Sequence, residues 1–174
     1  MEIFDFLLVG IEASIALAGF AGIIASTQLH TLSNVSRSTM VALTVVVQFS
    51  FLSALACAIP LLLESFGVDG ETLWAISSGF AAVFAAGGAY GCTRIMRGAI
   101  TKKSNWVLFL LLLGLGVLVT FALLLNAMGL VFQKEPGPLI AGIIYALSVA
   151  GYMFSRLLLR PLWRMVNEQE AVAS

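Results

Sequence analysis

The chain has 174 residues, 60% hydrophobic and 10% charged, with a mean hydropathy of +1.04 and no formal net charge. A soluble domain of this length needs more charge to cover its surface, so the solvent for most of this chain is lipid. The neutral balance gives no electrostatic footprint for nucleic acid, the single His30 excludes sites built from two histidines, and Cys57 and Cys92 offer neither a secreted disulfide framework nor metal-ligand spacing.

A transmembrane helix needs about 20 mainly apolar residues. Five windows qualify: approximately Ile3–Gln28, Thr39–Leu63, Thr72–Cys92, Trp106–Phe132 and Pro138–Leu159. Bare backbone cannot face hydrocarbon, and the alternation of a β-barrel is absent, so each window is expected to be helical. The expected fold class is all-α: a single membrane domain, a bundle of five transmembrane helices whose neighbours run antiparallel.

The first window has no basic n-region, since its first charges are Glu2 and Asp5, and it is too long for a cleavable signal peptide. Glu12 is the only charged residue well inside any window, about 12 Å from the outer end at ~1.5 Å per residue. An ionisable group at such a depth is a functional candidate by default. On a helical wheel Ala16, Gly19, Ile23 and Ser26 share its side, while Val9, Ala13, Leu17, Phe20 and Ile24 form a bulkier arc turned to lipid. Glu12 is therefore expected at or beside the packed face, with Asn126, Ser77 and Ser78 as partners at similar depth. Gly10, Ser14, Ala18, Gly22 and Ser26 recur every fourth position, the spacing that lets helix backbones approach.

In the second window Ser36 or Ser38 can cap the helix, and two polar rows follow: Thr44 with Gln48, and Ser50, Ser53 and Cys57. Pro60 is expected to kink or end it. Asp69-Gly70-Glu71-Thr72 supplies a turn, a cap and an acidic first turn to the third window, whose small residues are Ser78, Ala82 and Ala86 with Gly87 and Gly91. The fourth, capped by Ser104 and bounded by Trp106, is leucine-rich and expected to face lipid.

Pro136-Gly137-Pro138 opens the fifth window. There Ala141, Tyr145, Ser148, Tyr152 and Ser155 form a seam carrying four hydroxyls, suited either to a helix interface or to a hydrated path. Arg156, Arg160 and Arg164 then recur every four residues beside Trp163, with a bend expected at Arg160-Pro161 and a soluble tail over 165–174.

Alternate connections carry opposite charge. Every basic residue except Lys134 falls on one side, with Glu168 and Glu170, whereas Glu2, Asp5, Glu64, Asp69, Glu71 and Glu135 fall on the other. The positive-inside rule then predicts an outer N-terminus and a cytoplasmic C-terminus, in a membrane such as a bacterial inner membrane. Arg94, Arg97, Arg156, Arg160 and Arg164 are expected to snorkel to that cytoplasmic face and contact anionic lipids.

No nucleophile–base pair or metal motif suggests an enzyme, and no cofactor or metal is expected. Five spans give no tidy inverted repeat, which argues against a secondary transporter. The leading expectation is an oligomeric conduit for ions or small solutes, with Glu12, Gln48, Asn126, Tyr145, Ser148, Tyr152 and Ser155 along a hydrated path. Its competitor is a non-conducting accessory subunit that binds another membrane protein through small-residue faces, among them Gly10, Ser14, Ala18, Gly22, Gly87 and Gly91. The partners foreseen are the bilayer and either further copies of the chain or a different membrane protein.

Overall fold

The computed structural model describes residues 3–31, 37–68, 70–96 and 103–173, with side chains over 3–27, 39–68, 70–91, 93–94 and 110–159. Five helices account for almost all of it: α1 (Ile3–Thr31), α2 (Arg37–Ser65), α3 (Gly70–Met96), α4 (Lys103–Ala127) and α5 (Gly137–Ala173). Each contains a stretch long and apolar enough to cross a membrane. The physical reason is that hydrocarbon offers the backbone no hydrogen bonds, so every N–H and C=O must be satisfied within its own segment.

Two helices form the axis of the bundle. α2 and α5 pack along each other, α1 lies against α2, and the α3–α4 pair closes the opposite side. The burial of each span follows this order: 39% of the α2 stretch is enclosed but only 11% of the α4 stretch, which leaves leucine-rich α4 on the lipid side as its composition implied. The apolar core has two tiers. Leu7, Cys57, Ala82, Leu123, Leu139 and Ile143 fill the acidic end, near Glu64, Glu71 and Glu135. Ala21, Val46, Phe49, Ala146, Ala150 and Met153 fill the basic end, near Arg94 and Arg156.

Lipid tails are as apolar as leucine, so helices here associate through close approach rather than hydrophobic exclusion. Gly10 is one of the two tightest instances: a Cβ built on it would stand 2.7 Å from Cys57 Sγ. Gly142 similarly admits Leu123, whose Cδ1 would be 3.4 Å from such a Cβ. Ser14 is buried and returns its hydroxyl to Gly10 O at 2.7 Å, so it packs as a small residue with no unmet polar group.

Gly22 and Gly87 are exposed, and a Cβ on either would meet nothing within 4 Å, which leaves both open to a neighbouring chain rather than packed inside the protomer. Two expectations need correction. Pro60 does not end α2: it is buried inside the helix, which continues to Ser65. The fourth helix stops at Ala127, five residues short of Phe132. Gly129 turns the chain there with φ 69°, while Leu130 N–H donates to Leu125 O and Gly129 N–H to Asn126 O. That is the Schellman closure, in which a left-handed residue lets the last carbonyls find donors. Gly67, with φ 77°, ends α2 in the same way at the same end of the bundle. α5 runs on through Pro161 to Ala173, about 21 Å past Leu159, so the helix continues beyond its apolar stretch.

The Gly10–Cys57 contact is directly testable. Gly10→Ala is expected to lower thermal stability in detergent by about 1–3 kcal/mol through overpacking, and Cys57→Ala in the same chain to recover most of that loss. Equal melting of the single and double variants would show that the two side chains do not compete for one space.

Candidate functional site

Glu12 lies three residues from the centre of the Ile3–Thr27 stretch, about 4.5 Å along the helix from its middle. The packed face of α1 is made by Leu7, Gly10, Ser14 and Ala21, all buried. Glu12 stands opposite that face and is exposed, together with Ala16, Gly19, Ile23 and Ser26. The wheel therefore grouped its neighbours correctly but assigned their face to the wrong side. The misreading has a clear cause: the inward row is also small, so residue size could not separate a face that packs from one left open.

The partners expected for Glu12 are elsewhere. Among the described residues the α1 backbone approaches those of α2 and α5, and α1 meets α3 where the Phe4 and Trp74 rings stack, two turns from Glu12. Asn126, on α4, is fully buried and donates to Ser78 Oγ and to Glu135 O, both at 2.8 Å. One amide thus ties α4 to α3 and to the α4–α5 connection, while its Oδ1 has no partner among the described residues. Glu12 makes no hydrogen bond or ion pair among those residues.

The hydroxyl seam of α5 divides. Tyr145 turns inward and donates to Leu112 O on α4 at 2.8 Å, its ring edge-on to Phe49. The contact needs Gly116, where a Cβ would come within 2.7 Å of the Tyr145 hydroxyl. Ser148, Tyr152 and Ser155 are exposed, away from the buried row of Leu139, Ile143, Ala146 and Ala150. Ser155 satisfies itself on Gly151 O at 2.9 Å, and Tyr152 lies under the Arg156 guanidinium, 5.9 Å from ring centroid to Cζ. Seam and carboxyl group therefore do not line one path inside the protomer.

Gln48 bridges α2 and α3, its Nε2 donating to Gly88 O at 3.2 Å over the notch formed by Gly88 and Gly91. Thr44 is exposed and bonded to its own helix at Met40 O, whereas Ser50, Ser53 and Cys57 are wholly interior. Ser50 and Ser77 hydroxyls have no partner among the described residues, and Ser53 meets only the weakly bonding Cys57 thiol one turn on. Arg94 is exposed at the basic end. Arg97 lies outside the described residues, and the side chains of Cys92, Trp106, Arg160, Trp163 and Arg164 lie outside the described set as well.

A cavity of about 140 Å³ runs between α2, α3, α4 and α5, from Leu123 and Leu139 at the acidic end to Thr93 and Arg156 at the basic end. Its α3 wall is Ala81, Ala85 and Ala89, one alanine per turn. Interiors normally hold few voids larger than a water molecule. Among the described residues no three His, Cys, Asp or Glu side chains gather as a metal site. The chain matches no family model, no curated protein and no solved structure.

The Asn126 clamp yields a stability test. Asn126→Ala should lower the melting midpoint in detergent by an amount equivalent to about 1–3 kcal/mol, because Ser78 and Glu135 O lose their donor. Ser78→Ala, which still leaves Asn126 its bond to Glu135 O, should cost less than half as much; equal losses would break the assignment.

Proposed function

We propose that the chain is an assembly-forming membrane subunit, and that the outward face of α1, with Glu12 at its centre, is the surface on which another transmembrane helix docks. A carboxyl group near the middle of a span and turned away from its own bundle is the observation that carries this reading. Hydrocarbon penalises such a group, and a neighbouring helix with a hydrogen-bond donor or cation at that depth removes the penalty. The surroundings suit the approach of a second backbone: Ala16 and Gly19 lie one and two turns along the same face, with Gly22 open nearby. In this arrangement Glu12 contributes recognition and the small residues supply proximity.

A conduit remains the second reading, and it would form between copies rather than through one. Its support is the same outward carboxyl group, since an interface that gathers several α1 helices would gather several Glu12 side chains. Both readings use the orientation proposed from charge, with the N-terminus outside, the C-terminus cytoplasmic and the membrane of the bacterial inner type.

A photoreactive residue at Ala16, introduced in cells, tests the docking surface. It should give one discrete adduct, whereas the same residue at Leu118 on lipid-facing α4 gives none. Glu12→Leu should lower the adduct yield by about fivefold, with Glu12→Gln retaining more of it. No discrete adduct at Ala16 would overturn the proposal. An adduct of twice the 18.5 kDa chain mass identifies a second copy; flux into proteoliposomes, reduced by Glu12→Gln, would then favour the conduit. For orientation, green fluorescent protein fused after Ser174 should fluoresce and alkaline phosphatase at the same place should be inactive; the reverse pattern would invert the assignment.

A further inference from the structure

We propose that the cavity between α2, α3, α4 and α5 binds the hydrocarbon chain of an anionic amphiphile, whose carboxylate or phosphate head is held by Arg156. The walls argue for a hydrocarbon chain rather than water. Alanines 81, 85 and 89, Val119, Ile143 and Val149 line the space; of the four hydroxyl groups on it, those of Thr93, Thr120 and Tyr145 are bonded to backbone carbonyls and that of Ser53 meets only the weakly bonding Cys57 thiol. Tyr145 is bonded to Leu112 O and Thr120 to Gly116 O, both at 2.8 Å. Water needs two to four polar partners to remain in a cavity, whereas apolar cavities of about 150 Å³ stay dry and accept small apolar molecules. The shape argues for something long. The lining runs from Leu112 to Leu123 along α4 and from Val45 to Ala56 along α2, about 16 Å in each case. That is close to one leaflet's share of a hydrocarbon core about 30 Å thick.

Charge sets the direction of the occupant. Arg156 lines the basic end of the cavity and is only partly exposed, its guanidinium resting over the Tyr152 ring. Among the described residues it has no acidic partner. A guanidinium presents five N–H donors in a fork that matches a carboxylate or phosphate, and the Tyr152 contact uses the face rather than those donors. The head group therefore sits at the interface where Arg156 emerges, with the tail directed along the α3 alanines toward Leu139. A free fatty acid and an acidic phospholipid share this chemistry.

The experiment uses the purified chain in detergent and two probes with the same diazirine-bearing acyl chain, one a free fatty acid and one a phosphatidylglycerol. Photolabelling followed by peptide mapping should place the label on α3, α4 and α5 residues of the cavity, with the stronger probe identifying the source of the chain. Ala85→Leu and, separately, Ala89→Leu fill the cavity and should lower that labelling roughly tenfold, while melting without ligand at or above the wild-type temperature. Arg156→Gln should lower labelling by the anionic probes roughly tenfold and leave a fatty-alcohol probe of the same chain length unaffected. Label found only on lipid-facing residues such as Leu111 and Leu118, or unchanged in the filled variants, would overturn the proposal. Equal loss of the acid and the alcohol on Arg156→Gln would overturn the role of the guanidinium.

Discussion

Hydrocarbon neither hydrogen-bonds the backbone nor drives apolar surfaces together, and the rest of this structure follows from those two facts. The first makes every crossing segment helical and concentrates irregular backbone at the ends of the bundle, where Gly67 and Gly129 close α2 and α4. The second removes the usual reason for helices to associate. What remains is contact at short range, so the helices meet where side chains are smallest. Gly10 meets Cys57, Gly142 meets Leu123, and Gly88 and Gly91 seat Gln48.

Small residues have two opposite consequences in such a bundle. Where the facing side chain is large enough to fill the space, backbones draw together, as on the inner row of α1. Where it is not, the same residues leave a void, as along Ala81, Ala85 and Ala89. α3 is small on most of its circumference, and α4, which closes over it, is tied by Asn126 at one end and by Tyr145 further along. Two polar anchors on a helix otherwise turned to lipid hold the wall in place without filling the space behind it.

Polar groups at depth sort by whether the fold gives them a partner. Asn126, Gln48 and Tyr145 cross between helices, and Ser14, Thr120 and Ser155 return to their own backbone. Glu12 does neither. An orphaned interior serine costs the protomer stability, but an outward carboxyl group costs it only until another surface arrives, which is why Glu12 points to assembly and Ser50 does not. Arg156 presents a similar open valence at the other end of the bundle, toward an amphiphile rather than a helix.

Composition and hydropathy by themselves determined that there would be five helices long and apolar enough to cross a membrane, and nearly where, because the requirement for about 20 apolar residues is local and does not depend on neighbours. They also marked α4 as peripheral, since a leucine-rich helix without small rows has little means of close approach. The missed end of α4 was legible in Gly129, but an apolar run continuing to Phe132 outweighed one glycine. Only the tertiary structure decided which face of each helix turns inward. On α1 the row containing Gly10 and Ser14 and the row containing Ala16 and Gly19 are both small, and on α3 the cavity row of Ala81, Ala85 and Ala89 lies beside an equally small row through Ser78, Ala82 and Ala86. In a lipid-soluble helix there is no polar face to mark the outside, so hydrophobic periodicity carries little information. The choice belongs to the shape of the opposing helix, and one segment's sequence does not contain that shape.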